Sequence, residues 1–143
     1  MNVTPRVWDD ADIPPEETLY RRVPNLGEMF AQVKDLISGI SILSRAAIRF
    51  DADGMSVYRR RLMQVHNKPL ELIKRRDSDQ VFSFPVAVVR QNRCGVVDDL
   101  DDEDKDVGVA HALVRGENSN RPSPKDRRNE IVDAICRQAT REI

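Results

Sequence analysis

The sequence predicts an α+β fold, in which a single small domain has a mixed or antiparallel sheet packed by about three helices. Its 143 residues, 40% of them apolar, can build one modest core. Segments of strand-like and helix-like hydrophobic period follow one another without the regular alternation of a doubly wound fold. We therefore expect an acidic, proline-containing arm over residues 1–17, poor in core material, and one domain over residues 18–143.

The hydrophobic period changes twice in the first part of this domain. Residues 18–23 alternate and stop at Pro24, which predicts a short edge strand. Residues 25–39 carry apolar side chains at helical spacing and end on a glycine, which predicts a helix of about three turns. Residues 40–50 alternate again and predict a half-buried strand.

A turn and a second helix are expected next. Residues 51–54, Asp-Ala-Asp-Gly, have the composition of a turn, and their glycine stands at the wrong step for a calcium loop. Ser56 is typical of a helix N-cap, and apolar side chains at helical spacing extend the predicted helix to Val65. Residues 70–73 suggest one further helical turn.

The second half is expected to hold three strands and a last helix. Residues 81–89 are apolar on both faces and predict a covered strand, with Pro85 at a bulge or an edge. Residues 94–97 and 107–114 predict two more strands, separated by the acidic loop 98–106. A C-terminal helix is expected over residues 123–143, with Ser123 as N-cap and Pro124 in the first turn.

The net charge of −1 conceals four blocks of alternating sign. Residues 1–17 carry one basic and five acidic side chains, residues 18–97 carry 14 and seven, residues 98–118 carry two and eight, and residues 119–143 carry six and four. A wholly basic nucleic-acid binder is therefore excluded, but the basic central block could still attract an anionic partner.

Several classes of protein are disfavoured by what the sequence lacks. It has no apolar run near the ~20 residues that span a bilayer and no signal-peptide pattern at its acidic start, so we expect a cytoplasmic protein that binds no membrane. Cys94 and Cys136 have no metal-binding spacing and indicate free thiols. The sequence has no phosphate-binding glycine loop and no nucleophile elbow. The crowded acidic residues of loop 98–106 are more typical of a solvated segment than of a divalent-cation site. We therefore expect no metal and no cofactor.

His111 is the main candidate for chemistry. It stands among apolar residues, where a buried histidine with a hydrogen-bond partner is the simpler interpretation. The alternative is a general base in a small enzyme, paired with Cys94 or with an acidic residue if the fold brings them together.

Short clusters of basic side chains are candidates for binding, because guanidinium groups fork onto phosphates or carboxylates. These candidate residues are Arg21, Arg22, Arg59, Arg60, Arg61, Lys74, Arg75 and Arg76. Three consecutive arginines on a helix point in three directions and cannot all face one flat ligand. A solvated surface neutralised by the chain's own acidic segments is the alternative interpretation.

Three short stretches resemble fragments of small bacterial proteins of unknown function. They are Leu-Tyr-Arg-Arg-Val at residues 19–23, Gly-Met-Ser-Val-Tyr-Arg at residues 54–59 with the preceding Phe50, and Ala-His-Ala-Leu-Val at residues 110–114. The resemblance implies a bacterial cytoplasmic protein and supplies no catalytic residue.

Three functional hypotheses follow from the sequence. The first is a non-enzymatic accessory module that docks on a protein partner through its basic, Arg-rich surface. The second is nucleic-acid binding through the same arginines, and the third is a small hydrolase-like enzyme centred on His111. The oligomeric state stays open.

Overall fold

The computed structural model describes residues 7–25, 32–34, 37–39, 41–117, 119–123 and 125–143. Its main sheet is antiparallel, and its six strands lie in the order β6 (Cys94–Asp98), β7 (His111–Gly116), β4 (Met55–Arg59), β1 (Thr18–Val23), β5 (Gln80–Pro85) and β8 (Thr140–Arg141). A small second sheet joins β2 (Gln32–Lys34) to β3 (Ser41–Leu43), and the described α-helices are α1 (Arg60–Val65), α2 (Val86–Gln91) and α3 (Lys125–Gln138). The predicted α+β class is confirmed.

The main sheet buries apolar side chains on both faces, because successive residues of each strand point to opposite sides. On one face, Leu19 and Phe82 belong to the larger core cluster, together with Ile131 of α3. On the other face, Tyr58 belongs to a second cluster that includes Met63 of α1. Helices therefore cover both sides of the sheet.

Strands β1 and β4 pair only briefly, and their separation positions the candidate site. They pair at Leu19–Arg59 and at Tyr20–Tyr58, and no further pair joins them. Beyond this point the side chain of Arg21 bridges from β1 to β4, where its Nη1 donates to the carbonyl of Ser56 at 2.8 Å. A polar gap opens in the sheet at that position.

Two predictions for the first part of the chain are wrong because strand pairing depends on distant segments. β1 is a central strand rather than an edge strand, since β5 pairs with all six of its residues on the side opposite β4. The helix predicted over residues 25–39 is replaced at Gln32–Lys34 by β2, which pairs with β3. The other residues of that predicted helix lie partly outside the described ranges.

Only a short strand forms within residues 40–50, where a longer one was predicted. It is β3, and a 3-10 turn over Arg45–Ala47 follows it. The hydroxyl of Ser44 accepts a hydrogen bond from the amide of Ala46 at 3.3 Å and so starts this turn.

Ser56 lies inside β4 and not at a helix N-cap. Met55 and Val57 are fully buried on one face of the strand, and the helix starts later, at Arg60. The predicted turn over residues 51–54 is confirmed, with Asp51 and Gly54 forming an isolated bridge and a φ of 125° at the glycine. The further helical turn predicted over residues 70–73 is present as a 3-10 helix.

The two long apolar strands predicted for the second half are shorter than expected. The first ends at Pro85, which has no amide hydrogen to continue the ladder, and the chain turns into α2. The second starts only at His111, because a 3-10 turn over Gly108–Ala110 precedes it. The strand predicted over residues 94–97 is confirmed as β6.

The C-terminal helix is shorter than predicted. α3 ends at Gln138, and the chain then adds β8 to the edge of the sheet beside β5. Pro124 lies outside the described residues. Within the described ranges, no helix has both the length and the apolar character needed to cross a bilayer.

Residues 7–17, expected to contribute little to a core, are packed against the domain. Ile13 is only 1% exposed and joins the larger core cluster. The amide of Asp10 donates to the carbonyl of Val96 on β6 at 2.8 Å. The carbonyls of Pro15 and Glu17 accept hydrogen bonds from the first turn of α2, so the segment also caps a helix.

We expect Ile13→Ala to lower the free energy of unfolding by about 2–5 kcal/mol, the usual cost of deleting a buried aliphatic side chain. Ile37→Ala is the matched control, because Ile37 is 86% exposed and its truncation leaves no cavity. Urea denaturation of both variants measures the difference. Equal stability of the two variants would mean that residues 7–17 do not pack as described.

Candidate functional site

The gap between β1 and β4 is the floor of a cleft of about 470 Å³. Four arginines line it together with three other side chains capable of hydrogen bonding and two acids: Arg21, Arg22, Arg49, Arg75, Ser56, Tyr58, His111, Asp51 and Asp101. We call this space the arginine cleft. A second cavity of about 500 Å³ adjoins it and shares Tyr58, Arg75 and Asp101 with it.

Arg21 is the central cation of the arginine cleft. Its guanidinium donates to the carbonyls of Ser56 at 2.8 Å and Ala47 at 3.5 Å, while its Nε is buried and has no hydrogen-bond partner within the described residues. Burial, aided by the positive charge of Arg22, lowers the pKa of Arg21 to about 10. The side chain is still a cation at neutral pH, held by main-chain carbonyls rather than by a carboxylate.

Asp79 positions two more arginines of the cleft. Its Oδ2 accepts hydrogen bonds from the amides of Arg75 and Arg76 at 2.9 and 3.1 Å and lies 3.5 Å from Nη1 of Arg22. Burial raises the pKa of the Asp79 carboxyl, but the two amides and Arg22 outweigh burial and hold that pKa below its usual value. Asp79 therefore fixes the backbone of the Arg75 turn and holds the side chain of Arg22.

His111 lies at the opposite side of the cleft with both ring nitrogens engaged. Its Nδ1 is 2.8 Å from the carbonyl oxygen of Asp99 and 3.1 Å from the Oδ2 of the same residue. Its Nε2 is 3.0 Å from Oγ of Ser56, and the ring of Tyr58 packs edge-to-face on the imidazole with centroids 5.6 Å apart. His111 thus has an acidic partner, as one of the sequence alternatives required.

The partners of His111 determine its tautomer. Both groups at Nδ1 are acceptors, so Nδ1 carries the hydrogen of the neutral imidazole. Nε2 then has the lone pair and accepts a hydrogen bond from the hydroxyl of Ser56. The amide of Asp99 donates to the carbonyl of His111 at 2.9 Å, so the main chain holds Asp99 and His111 together.

The structure distributes the other predicted basic residues over separate places. Arg59 is buried in ion pairs, with its Nε 2.9 Å from Glu17 and its Nη1 2.8 Å from Asp98. Arg60 and Arg61 are exposed on α1 and line a shallow cavity next to Glu17. Lys74 lines the cavity beside the arginine cleft, and Arg76 is exposed. Of the predicted binding residues, the arginine cleft contains Arg21, Arg22 and Arg75.

Cys94 and His111 are not brought together. Cys94 pairs with Gly116, five positions along β7 from His111, which corresponds to about 17 Å at ~3.4 Å per residue. Cys94 is buried in the core, and burial raises the pKa of its thiol to about 12. The cysteine has the properties of a core side chain rather than of a nucleophile.

The acidic loop 98–106 packs against basic residues of the domain. Asp98 pairs with Arg59, Asp99 contacts His111, and Asp101 lines both cavities. Among the residues that the structure describes, no group of three or more His, Cys, Asp or Glu side chains is placed to hold a metal ion.

Sequence reasoning missed Ser56, Tyr58, Asp99 and Arg49 as site residues. Ser56 and Tyr58 are two apart on one strand and share a face. Because the sequence predicted a helix from Ser56 onwards, it did not indicate that these two side chains lie on one face. Asp99 was hidden among seven acidic residues of the loop, of which it alone is hydrogen-bonded to His111.

No family model, no curated protein and no solved structure matches this chain.

We expect Arg59→Met to lower the free energy of unfolding by about 3–5 kcal/mol, because it leaves the buried carboxylate of Glu17 without its counter-ion. The exposed neighbour provides the control: Arg60→Met should change stability by less than about 0.5 kcal/mol. Adding Glu17→Gln to Arg59→Met should recover part of the loss by removing the unpaired charge. Thermal or urea unfolding measures all three, and no recovery in the double variant would contradict this explanation.

Asp79 should contribute to stability in a pH-dependent manner. Because its folded-state pKa is lowered, its ionised form stabilises the fold above its ordinary pKa of about 3.9, and this contribution is lost as pH falls through the folded-state pKa. Asp79→Asn should therefore be less stable than wild type at pH 7, with the difference shrinking below about pH 4. Urea midpoints across pH measure this, and Asp77→Asn, at an exposed position two residues earlier, is the control.

Proposed function

We propose that the protein binds a small molecule carrying a phosphate or carboxylate group in the arginine cleft. The observation that carries this proposal is Arg21, a part-buried guanidinium at the floor of the cleft. Within the described part of the chain, no carboxylate forms an ion pair with it. A desolvated cation gains most from an anion that can also accept its unused hydrogen bond, here from the buried Nε.

The neighbouring side chains support the same ligand chemistry. Arg49 and Arg75 also line the cleft and form no ion pair within the described residues, whereas Arg22 is partly neutralised by Asp79. Several guanidinium groups around one concavity match the several oxygens of a phosphate or carboxylate.

The shape of the site favours a small molecule over a flat acidic protein surface. A volume of about 470 Å³ falls within the ~300–1,000 Å³ typical of small-molecule sites. The protein-docking hypothesis was based partly on Arg59, which is buried in internal ion pairs. Support for docking on a protein partner, or on nucleic acid, is correspondingly weaker than support for a small anion.

The adjoining cavity suggests what the rest of the ligand carries. Its lining includes Asp101, Glu103, Asp104 and Asp106 together with Lys74 and the shared Arg75. Carboxylates accept hydrogen bonds and repel anions. A ligand spanning both cavities would therefore place its anionic group in the arginine cleft and hydroxyl or amino groups beside the acidic side chains.

Calorimetric titration with inorganic phosphate tests this proposal. We expect binding that weakens with added salt and falls at least about tenfold in Arg21→Met, because a charge-assisted hydrogen bond contributes ~1.5–3 kcal/mol. Arg49→Met should also weaken phosphate binding. Because Arg49 is exposed, this variant should keep the wild-type fold. Arg60→Met, on the surface of α1, should bind phosphate as wild type does.

Two outcomes would overturn the proposal. One is phosphate affinity that is equal in wild type, Arg21→Met and Arg49→Met. The other is binding of an acidic peptide or of duplex DNA by protein that does not bind phosphate, with the loss of that binding in Arg60→Met and Arg61→Met.

A further inference from the structure

The hydroxyl of Ser56 has the surroundings of a nucleophile. Its Oγ is 3.0 Å from Nε2 of His111, within the ~2.6–3.2 Å expected between a nucleophile and its base. The Nδ1 of this base is hydrogen-bonded to the main-chain carbonyl of Asp99 and lies 3.1 Å from the Oδ2 of the same residue. These two relations, serine to histidine and histidine to aspartate, resemble those of a Ser-His-Asp group, which is recognised by geometry and not by fold or chain order.

The surrounding structure holds these groups in place. Ser56 and His111 lie on adjacent paired strands of the main sheet, and Asp99 directly follows the next strand. Tyr58 packs on the imidazole and limits its rotation. Ser56 and His111, which lie on paired strands, therefore keep their mutual geometry better than groups on loops would.

We infer that Ser56, His111 and Asp99 hydrolyse a carboxylic ester whose acyl or alcohol part carries an anionic group; this rests on the anion binding proposed above. Ser56 is the nucleophile, His111 the general base and acid, and Asp99 the positioning residue. Arg21 donates to the main-chain carbonyl of Ser56 and lines the same cleft, so a cation lies near the nucleophile and would favour negative charge that develops there.

The reaction balances with water as the co-reactant. Oγ of Ser56 forms a bond to the ester carbonyl carbon while its proton passes to Nε2 of His111. The bond from that carbon to the leaving alcohol oxygen then breaks, and the alcohol takes the proton from Nε2. A water molecule attacks the acyl-serine, gives one proton to Nε2, and releases the carboxylic acid as this proton returns to Oγ.

An alkyl fluorophosphonate tests the nucleophile without knowledge of the natural substrate. Oγ of an activated serine bonds to phosphorus, and fluoride leaves with the proton. Intact-protein mass spectrometry should show one adduct, and peptide mapping should place it on Ser56. Ser56→Ala should give no adduct, and His111→Gln should react at least about 100-fold more slowly, the usual loss of a general base. No adduct on Ser56, or an unchanged rate in His111→Gln, overturns the inference.

Matched controls exist within the chain. Ser41→Ala and His66→Gln change an exposed serine and the second histidine, and both should react as wild type does. Asp99→Asn should lose less than His111→Gln, because the main-chain carbonyl of Asp99 still fixes the tautomer. The ¹⁵N shifts of the imidazole should show Nδ1–H retained in that variant although its labelling rate falls. An unchanged labelling rate would remove Asp99 from the group.

Two chromogenic esters test the substrate class. The succinate monoester of 4-nitrophenol carries a free carboxylate, and 4-nitrophenyl acetate does not. We expect faster hydrolysis of the succinate and loss of this preference in Arg49→Met; the absence of a preference overturns the proposed substrate class. Phosphate binding without labelling of Ser56 rejects only this inference. Labelling without phosphate binding rejects both the proposed anion site and the anionic substrate.

Discussion

The hydrogen bond from Arg21 to the carbonyl of Ser56 is the interaction on which the site depends. It lies where β1 and β4 stop pairing, so a long cationic side chain bridges two strands that no longer form a ladder. The same contact holds a guanidinium at the floor of the cleft and places a positive charge beside the main-chain carbonyl of Ser56. The central position of β1 makes this possible, because the opening then lies inside the sheet and not at its edge.

The oppositely charged blocks of the chain partly pair with one another in the fold. Arg59 pairs with Glu17 and Asp98, and Arg90 pairs with Asp9, so the acidic N-terminal segment and the acidic loop neutralise parts of the basic block. In the arginine cleft, by contrast, Arg21, Arg49 and Arg75 form no ion pair with a carboxylate among the described residues. The block charges of the sequence indicated that some basic side chains of residues 18–97 could lack acidic partners. The fold places three such arginines in the arginine cleft.

The fold class was predictable from the sequence because periodicity and length are local properties. Which strand lies beside which is decided by distant segments, and the edge position predicted for β1 was wrong for that reason. The segment around Val57 satisfied helical spacing up to Val65, yet burial of Met55 and Val57 in the sheet selects a strand there. Arg21, Arg22, Arg75 and His111 could be named as candidates from the sequence. Their convergence could not, since it depends on the separation of β1 from β4.

The presence of a cation at Arg21 is better explained by ligand binding than by a contribution to the stability of the fold. Burial and the charge of Arg22 lower its pKa to about 10, which means that its charged form is less stable here than in water. A part-buried cation that forms no ion pair costs free energy that an apolar side chain of similar size would not cost. An anion that enters the cleft offsets this cost, because its negative charge stabilises the guanidinium and one of its oxygens can accept a hydrogen bond from the unpaired Nε. A ligand that binds only the folded chain also stabilises it by mass action. The lowered pKa of Arg21 and the proposed affinity for an anion thus have the same electrostatic cause.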